Sequence, residues 1–470
     1  MDDLTNHSAA DLSRAIADGR LTSQAVMTAF LDRIEALNPQ LNAIVSLRPR
    51  DDLLAEARAA DRAPRQGWLH GLPVAVKDLA AVRGLRTTWG SPLFADHIPV
   101  SDDIVVARMR AAGAIFIGKT NTPEWGLGSH SFNEVFGATR NPYDPGRTAG
   151  GSSGGAAAAL AARMVPVADG SDMMGSLRNP AAFCNIYGFR PSWGLVPGDP
   201  VGDSFMATLA TLGPMGRSPG DIAHLLSVMA GPDPALPFDR AAQDYPAALR
   251  DPLAPTRIGW LADWDGAYPC EDGILPLCET ALEQFEELGC QIVPLPAPFP
   301  AEKLWQSWLT LRAFLNAGGK RALYDDPAKR ALLKPEAVWE IEQGLTLSAE
   351  QVYEASAIRS AWYRRLAKLF QQVDVIALPT AQFWPFPIEW RWPDRIAGEP
   401  ADTYHRWMEI VVPVSLAGLP CLSVPVGFGD QGLPMGMQLA GPVGADAAIL
   451  RLGHAWHQMT NWPDRQPPYP

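Results

Sequence analysis

Cysteine is scarce in this chain: Cys184, Cys270, Cys278, Cys290 and Cys421 are five, an odd number, and no CxxC pair occurs. That spacing excludes a disulfide framework or a zinc site, and buried reduced thiols are expected. Positive charge is short as well, with 39 Lys and Arg against 51 Asp and Glu and a net charge of -12. Nucleic acid and anionic membrane surfaces both demand a basic footprint, so neither is an expected partner. No apolar run approaches the ~18 residues that a membrane helix needs. The start, MDDLTNHSAADLS, lacks the basic and apolar regions of a signal peptide, so a cytoplasmic protein is expected. HExxH spacing, carboxylate pairs suited to glycoside cleavage, internal repeats and low-complexity tails are all missing. No metal and no cofactor is implied.

What is present is a large apolar fraction, 47% of 470 residues, enough for a sizeable core. Leu12 and Ile16, then Ala25, Val26, Phe30, Ile34 and Leu37, recur at helical spacing, with Thr22 and Asn38-Pro39 punctuating the second helix. DDLLAEARAADRA continues the helical pattern. LPVAVKD and AIFIGKT read as strands, and SDDIVVARMRAAG between them as a helix capped by Ser101. DVIALP and CLSVPVGF are further strands, and the alternation predicts an α/β layered fold. A Pro- and Asp-rich break falls near residues 231–255. A helical stretch follows over about 301–372 with Trp305, Trp308, Trp339 and Trp362. FWPFPIEWRWPDR, residues 383–395, is too rich in proline for regular structure, and its aromatics either line a functional loop or pack as local core.

Three motifs invite chemistry. GAIFIGKT, residues 113–120, matches the phosphate-binding pattern GxxxxGK[ST], but its middle is Ala, Ile, Phe and Ile, a buried strand rather than a flexible cradle. GGSSG, residues 150–154, matches the GxSxG nucleophile elbow. A helix, AAAALAARM, leaves it, but NPYDPGRTA, rich in Pro and Gly, enters it where a strand is required. The acid and histidine of such an elbow would be Asp446 and His454, in a segment where helical spacing also makes His454 or His457 an ordinary helix residue. A Gly/Ser linker is the third reading, and it fails because the stretch runs straight into an apolar helix.

Three pieces then combine. LPVAVKD puts Lys77 at the end of an apolar strand, where burial would lower its pKa and free it to act as a base; a Lys77–Asp78 surface turn is the competing reading. GGSSGG presents Ser152. DGSDMMGSLRNP presents Ser176 after MVPVA, read as another strand. Together with GAIFIGKTNTPE, FGATRNPYDPGRTAGGSSGGAAAALAA and AGLPCLSVPVGF…GLPMGMQLAG, these segments resemble the amidase signature family, in family order over most of the chain.

The resemblance implies one large α/β/α domain over residues 1–470, with a mixed, twisted central sheet covered by helices on both faces. Residues 1–65 would be N-terminal helices, 66–230 the catalytic core, 256–400 a more variable helical and aromatic-loop region over the substrate entrance, and 401–470 the last part of the core. It implies a Ser–cis-Ser–Lys triad: Ser176 as nucleophile, Ser152 as proton relay and Lys77 as general base. The backbone N–H groups of Met173, Met174, Gly175 and Ser176 would form the oxyanion hole. Gly126, Gly128 and Ser129 would line the acyl pocket, and Asp172 and Arg178 would support the loop. The family usually reads G-T-D-T/S-G-G-S-I-R where this chain has GSDMMGSLR, so Met174 replaces a glycine and must accept a negative φ. Arg190 stands where lysine is common.

The implied activity is hydrolysis of a carbon–nitrogen bond through a seryl acyl-enzyme. The aromatic segments 305–314 and 383–395 suggest a hydrophobic mouth for neutral, bulky or aryl amides, with carbamates and esters as further substrates. The implied partners are the small substrate and water, with the chain a monomer or homodimer. The alternatives are a glutamine-hydrolysing amidotransferase subunit working in a complex, a Ser-His-Asp esterase, and a non-catalytic binding protein of the same fold; the last is at odds with the retained triad.

Overall fold

Eight strands hydrogen-bond into one mixed sheet, and three more into a small sheet at its edge. In the computed structural model, residues 3–198, 203–466 and 468–469 are described; the ends of the expected N-terminal and C-terminal segments, residues 1–2 and 470, lie outside these. The small sheet consists of β1 (Ile44–Val45), β2 (Pro73–Lys77) and β3 (Ile115–Thr120), in the order β1-β3-β2. A short hairpin follows, β4 (Phe132–Asn133) and β5 (Gly137–Ala138). The first strands of the large sheet are β6 (Ala168–Asp172), β7 (Tyr187–Arg190) and β8 (Thr211–Gly216). Next come β9 (Arg257–Trp260), β10 (Gln291–Pro294) and β11 (Val375–Pro379). After the hairpin β12 (Arg395–Ile396) and β13 (Glu399–Pro400), β14 (Cys421–Phe428) and β15 (Pro434–Ala440) complete it. The order is β10-β9-β11-β15-β14-β7-β8-β6, with β10, β9 and β11 mutually parallel and the other neighbours antiparallel.

Burial explains the central strands. Cys421 to Val426 of β14 are all buried, which needs cover on both faces of the sheet. Side chains alternate along a strand. Leu422 packs on Gly453 of the helix Asp446–Thr460, while Ser423 and Gly436 face Ala182 of the helix Arg178–Phe183. The helix Ile274–Glu287 buries Ile274, Cys278, Ala281, Leu282 and Phe285, one stripe at helical spacing. Its Phe285 stacks on Trp456 with ring centroids 4.3 Å apart. The five cysteines are free thiols, four of them buried. Among the described residues no helix is long and apolar enough to cross a membrane.

Three local expectations need correction. The second helix does not stop at Asn38-Pro39 but runs Ser23–Leu41. Asn42, in the left-handed region, ends it, and the Asn38 side chain accepts from the Ala43 and Ile44 N–H groups. Ser101 is not a cap. The helix is Ile104–Ala111 with Asp103 at its N-cap position, and the Asp103 carboxylate is drawn off to the Ala81 N–H. MVPVA is not the strand before Ser176 either; the strand is β6, ADGSD, which is polar yet almost wholly buried. Its side chains find partners within the protein, so hydropathy does not mark it.

The helical stretch divides into Ala301–Asp325, Pro327–Arg330, Pro335–Leu345 and Ala349–Leu369. Trp305, Trp308 and Trp362 are core residues. Leu127 packs with Ala317, Leu333, Ala337 and Ile341, which seats these helices on the 126–129 strip.

Candidate active site

The site gathers where β2 ends beside the edge strand β6. Lys77 closes β2 and is buried, as is Asp78, so the surface-turn reading does not hold. The Lys77 N–H donates to Asp169 Oδ1 at 3.0 Å, which ties the two strands through a side chain. Lys77 Nζ donates to Ser152 Oγ at 2.8 Å, Ser153 Oγ at 2.8 Å and Ser171 Oγ at 3.0 Å. All three acceptors are neutral. Burial therefore dominates and pulls the Lys77 pKa from 10.5 to about 7, against the opposing charges of Asp169 and Asp172. Asp169 itself is pushed up by burial, with its bond to the Lys77 N–H and the ammonium groups of Lys119 and Lys77 opposing.

Ser152 follows a cis peptide bond from Gly151. Ser129 holds this turn: its hydroxyl accepts from the Gly151 N–H at 3.2 Å and donates to the Gly151 carbonyl. Thus Ser129 is a brace of the Gly-Ser loop. Gly126 does lie at Ser152, since a Cβ there would stand 3.4 Å from Ser152 Oγ. Gly128 faces the ring of Tyr404. The helix Gly154–Ala161 begins directly after the serines and is buried throughout. Gly155 allows this, because a Cβ there would be 2.3 Å from the Asn121 backbone N.

Ser176 sits after β6 and is 7% exposed, and its hydroxyl bonds no protein group among the described residues. Its carbonyl accepts from the Ser153 N–H at 3.2 Å, which links the serine pair to the Ser176 loop. Asp172 shapes that loop. Its carboxylate accepts from the Gly175 N–H at 2.9 Å, the Leu177 N–H at 3.2 Å and both Arg178 Nε and Nη2 at 3.0 Å. Arg190 Nη1 adds a further bond at 3.1 Å. With two buried guanidinium groups beside it, the Asp172 carboxyl is held well below its usual range even though burial opposes this. Arg178 also donates to Gln438, Ser415 and the Val411 carbonyl, joining the loop to the core.

The Gly175 N–H is thereby taken, so it leaves the expected set of four oxyanion donors. The N–H groups of Met173, Met174 and Ser176 meet no protein acceptor among the described residues. The positive φ of the loop falls on Gly175, at 77°, and Met174 keeps a negative φ. Met173 Sδ is 3.5 Å from Arg312 Nη1. Arg312 is held in turn by the Glu340 carboxylate and by Tyr404 Oη at 2.8 Å. Trp339 and Trp392 stand edge-on to Tyr404.

The irregular segment 383–395 divides its labour. Phe383 and Phe386 are buried core, whereas Trp390 is 43% exposed. The Phe386 carbonyl accepts from the Thr148 N–H, and His130 Nε2 meets the Ile388 carbonyl, so the segment braces the approach to the serine pair. Trp305 and Trp308, expected at a mouth, are enclosed in the core instead.

Sequence reasoning leaves Ser153 without a task and passes over Ser171 and Asp169. The period-2 placement of Asp169 and Ser171 on β6 is a usable signal. The remaining motifs are accounted for by geometry. GAIFIGKT is strand β3, and the Lys119 ammonium is buried against the Ala80 carbonyl, with no loop to cradle phosphate. Asp446 accepts from the Ser192 N–H and hydroxyl, and His454 Nε2 meets Gln458 Nε2 on its own helix. Neither is paired with a catalytic serine candidate.

A family model described as Amidase matches residues 25–450. The chain is 38% identical, over 96% of its length and 96% of the relative's, to a glutamyl-tRNA(Gln) amidotransferase subunit of Thermus thermophilus. It is 33% identical, over 98% of its length and 97% of the relative's, to an acylamidase of Rhodococcus erythropolis. A solved bacterial aryl acylamidase of the amidase signature enzymes superposes with a TM-score of 0.91 at 28% identity, covering 97% of both chains.

Proposed function

Since the chain belongs to the amidase signature family and is a hydrolase of that kind, we propose that it cleaves neutral hydrophobic or aryl amides through an acyl-enzyme on Ser176. The observation that carries this reading is the Lys77 amine, buried among three serine hydroxyls with no carboxylate bonded to Nζ. A pKa of about 7 leaves a large neutral fraction at neutral pH, with a lone pair able to take a proton. Ser152 Oγ passes its proton to Lys77 Nζ and takes the proton of Ser176 Oγ, which attacks the substrate carbonyl carbon. The N–H groups of Met173, Met174 and Ser176 receive the negative charge that develops on the carbonyl oxygen. The tetrahedral intermediate then breaks its carbon–nitrogen bond as the relay returns the proton to the leaving nitrogen. Water repeats the sequence on the ester and frees Ser176.

The acyl side supports a neutral substrate. Arg312 and Glu340 neutralise each other there, and Tyr404, Trp339, Trp392 and Met173 supply apolar surface. Carbamates and esters fit the same acyl transfer. The chain would act on the substrate and water alone, as a cytoplasmic monomer or homodimer. A fluorophosphonate should label Ser176, located by mass spectrometry; an adduct on Ser152 or on neither serine overturns the assignment. Anilides should be hydrolysed faster than acetamide, and a strict preference for acetamide-sized amides overturns the substrate class.

The identity to an amidotransferase component supports a second reading, release of ammonia from glutamine within a complex. Turnover of anilides by the isolated chain, with no ammonia from glutamine, decides against it.

A further inference from the structure

We propose that a cavity whose lining includes neither Lys77 nor the catalytic serine candidates is a binding site for a small molecule carrying a phosphoryl group. The cavity measures about 440 Å³ and lies between the helix Ala349–Leu369, the turn at Gly418 and Trp193. Its lining holds Arg240, Arg359 and Arg364 and no Asp or Glu. In a chain of net charge -12, three guanidinium groups around one cavity run against the overall balance.

None of the three pairs with a carboxylate among the described residues. Arg359 is half-buried, and its donors go to the Leu416 carbonyl and to the hydroxyl and carbonyl of Thr208, all neutral. Burial alone lowers its pKa, with no anion opposing. Arg240 donates through Nε to the Trp193 carbonyl, which leaves its two Nη groups without a protein acceptor among the described residues. Arg240 acts on Asp446 through space, but the Asp446 oxygens are occupied by Ser192. The exposed Arg364 side chain makes no hydrogen bond or ion pair with a described residue. A second cavity supplies the contrast: it contains Arg451 together with Asp251, and these two are paired at 3.2 Å.

The chemistry favours phosphoryl over a lone halide. Guanidinium forks donate in pairs to tetrahedral oxygens, and several can share one dianion. Ser356 adds a hydroxyl from the same helix face, one turn before Ser360, whose own hydroxyl donates to the Ser356 carbonyl at 2.9 Å. The volume falls in the range of small-molecule sites and exceeds what a bare phosphate fills, and the rings of Trp193 and Tyr363 offer flat surfaces to an organic body. The cavity also touches Leu416, Ala417 and Gly418, at the end of the helix Val412–Ala417 whose Ser415 accepts from Arg178. Occupancy of the cavity thus bears on the helix that supports the Ser176 loop.

The test is calorimetric titration of the whole protein with pyrophosphate at constant ionic strength, repeated on Arg240→Gln and Arg364→Gln. Wild type should show saturable binding, with each substitution weakening it about tenfold, as loss of one charge-assisted hydrogen bond implies. Both substitutions should leave the thermal midpoint without pyrophosphate and the basal amidase rate unchanged. Absence of saturable binding to wild type overturns the proposal. So does binding that both variants retain at full strength, which would mark a non-specific anion effect.

Discussion

Two clusters of buried charge meet on β6, and they are built on opposite plans. Around Asp172, one carboxylate faces two guanidinium groups and two backbone N–H groups. Around Lys77, one amine faces three hydroxyls. Both are cut off from water. In the first, opposite charge outweighs desolvation and the carboxylate stays ionised. In the second, desolvation outweighs distant charge and the amine sits near half-protonation at neutral pH. A fully compensated charge is a strut, and an under-compensated one is free to exchange a proton. The same strand thus carries a fixed support and a movable proton side by side.

The contrast breaks most severely at the proposed nucleophile. Ser176→Ala should abolish fluorophosphonate labelling and lower kcat by about 10⁶-fold, the scale seen when a serine and its base act as one unit. Next is the reciprocal pair Lys77→Met and Asp172→Asn. Lys77→Met should cost about 10²–10⁴ in kcat/KM while the thermal midpoint holds or rises, because a desolvated amine is replaced by an apolar chain of similar length. Asp172→Asn should lower stability by about 3–5 kcal/mol in chemical denaturation, since it leaves Arg178 and Arg190 buried without their anion. If both variants lost stability alike, the two clusters would not differ as described.

The pH dependence sharpens the difference. In the proposed mechanism neutral Lys77 is the active form, so log kcat/KM should fall below a midpoint of about 7 in a pH profile. Asp169 raises that pKa, so Asp169→Asn should move the acid limb to lower pH. Linkage gives the sign for stability. Between about 7 and 10.5 the unfolded chain holds a proton on Lys77 that the folded chain has released. Stability from this group therefore rises with pH across that window, and Lys77→Met should flatten the rise. The smallest effect belongs to Ser153→Ala, which removes one of three hydroxyls from Lys77; kcat/KM should drop about tenfold or less.

The ends of these clusters were legible in the sequence, and their middles were not. Lys77 stands after an unbroken apolar strand, and Ser152 and Ser176 lie in glycine-marked turns, so local pattern and the family resemblance both reach them. Asp169 and Ser171 escape notice because polar residues in a row read as loop, and only their partners from β2 and the serine turn make ADGSD a buried strand. The role of the Gly175 N–H depends on where Asp172 bends back, three residues away, which composition does not encode. Trp305 and Trp308 show the converse: dense aromatics read as an opening, and the packing of helix Ala301–Asp325 makes them core.

Alternation along β6 has one more consequence. Asp169 and Ser171 leave the strand on the lysine side, and Asp172 leaves it on the arginine side. The pairing with β8, Asp169 opposite Pro214 and Asp172 opposite Thr211, holds that parity. Deleting a single residue from this five-residue strand would trade the occupants of the two sides. The Asp172 carboxylate would then turn toward the amine, and Asp169 and Ser171 toward the guanidinium groups. The proposed base thus depends on whether a count of strand residues is odd or even.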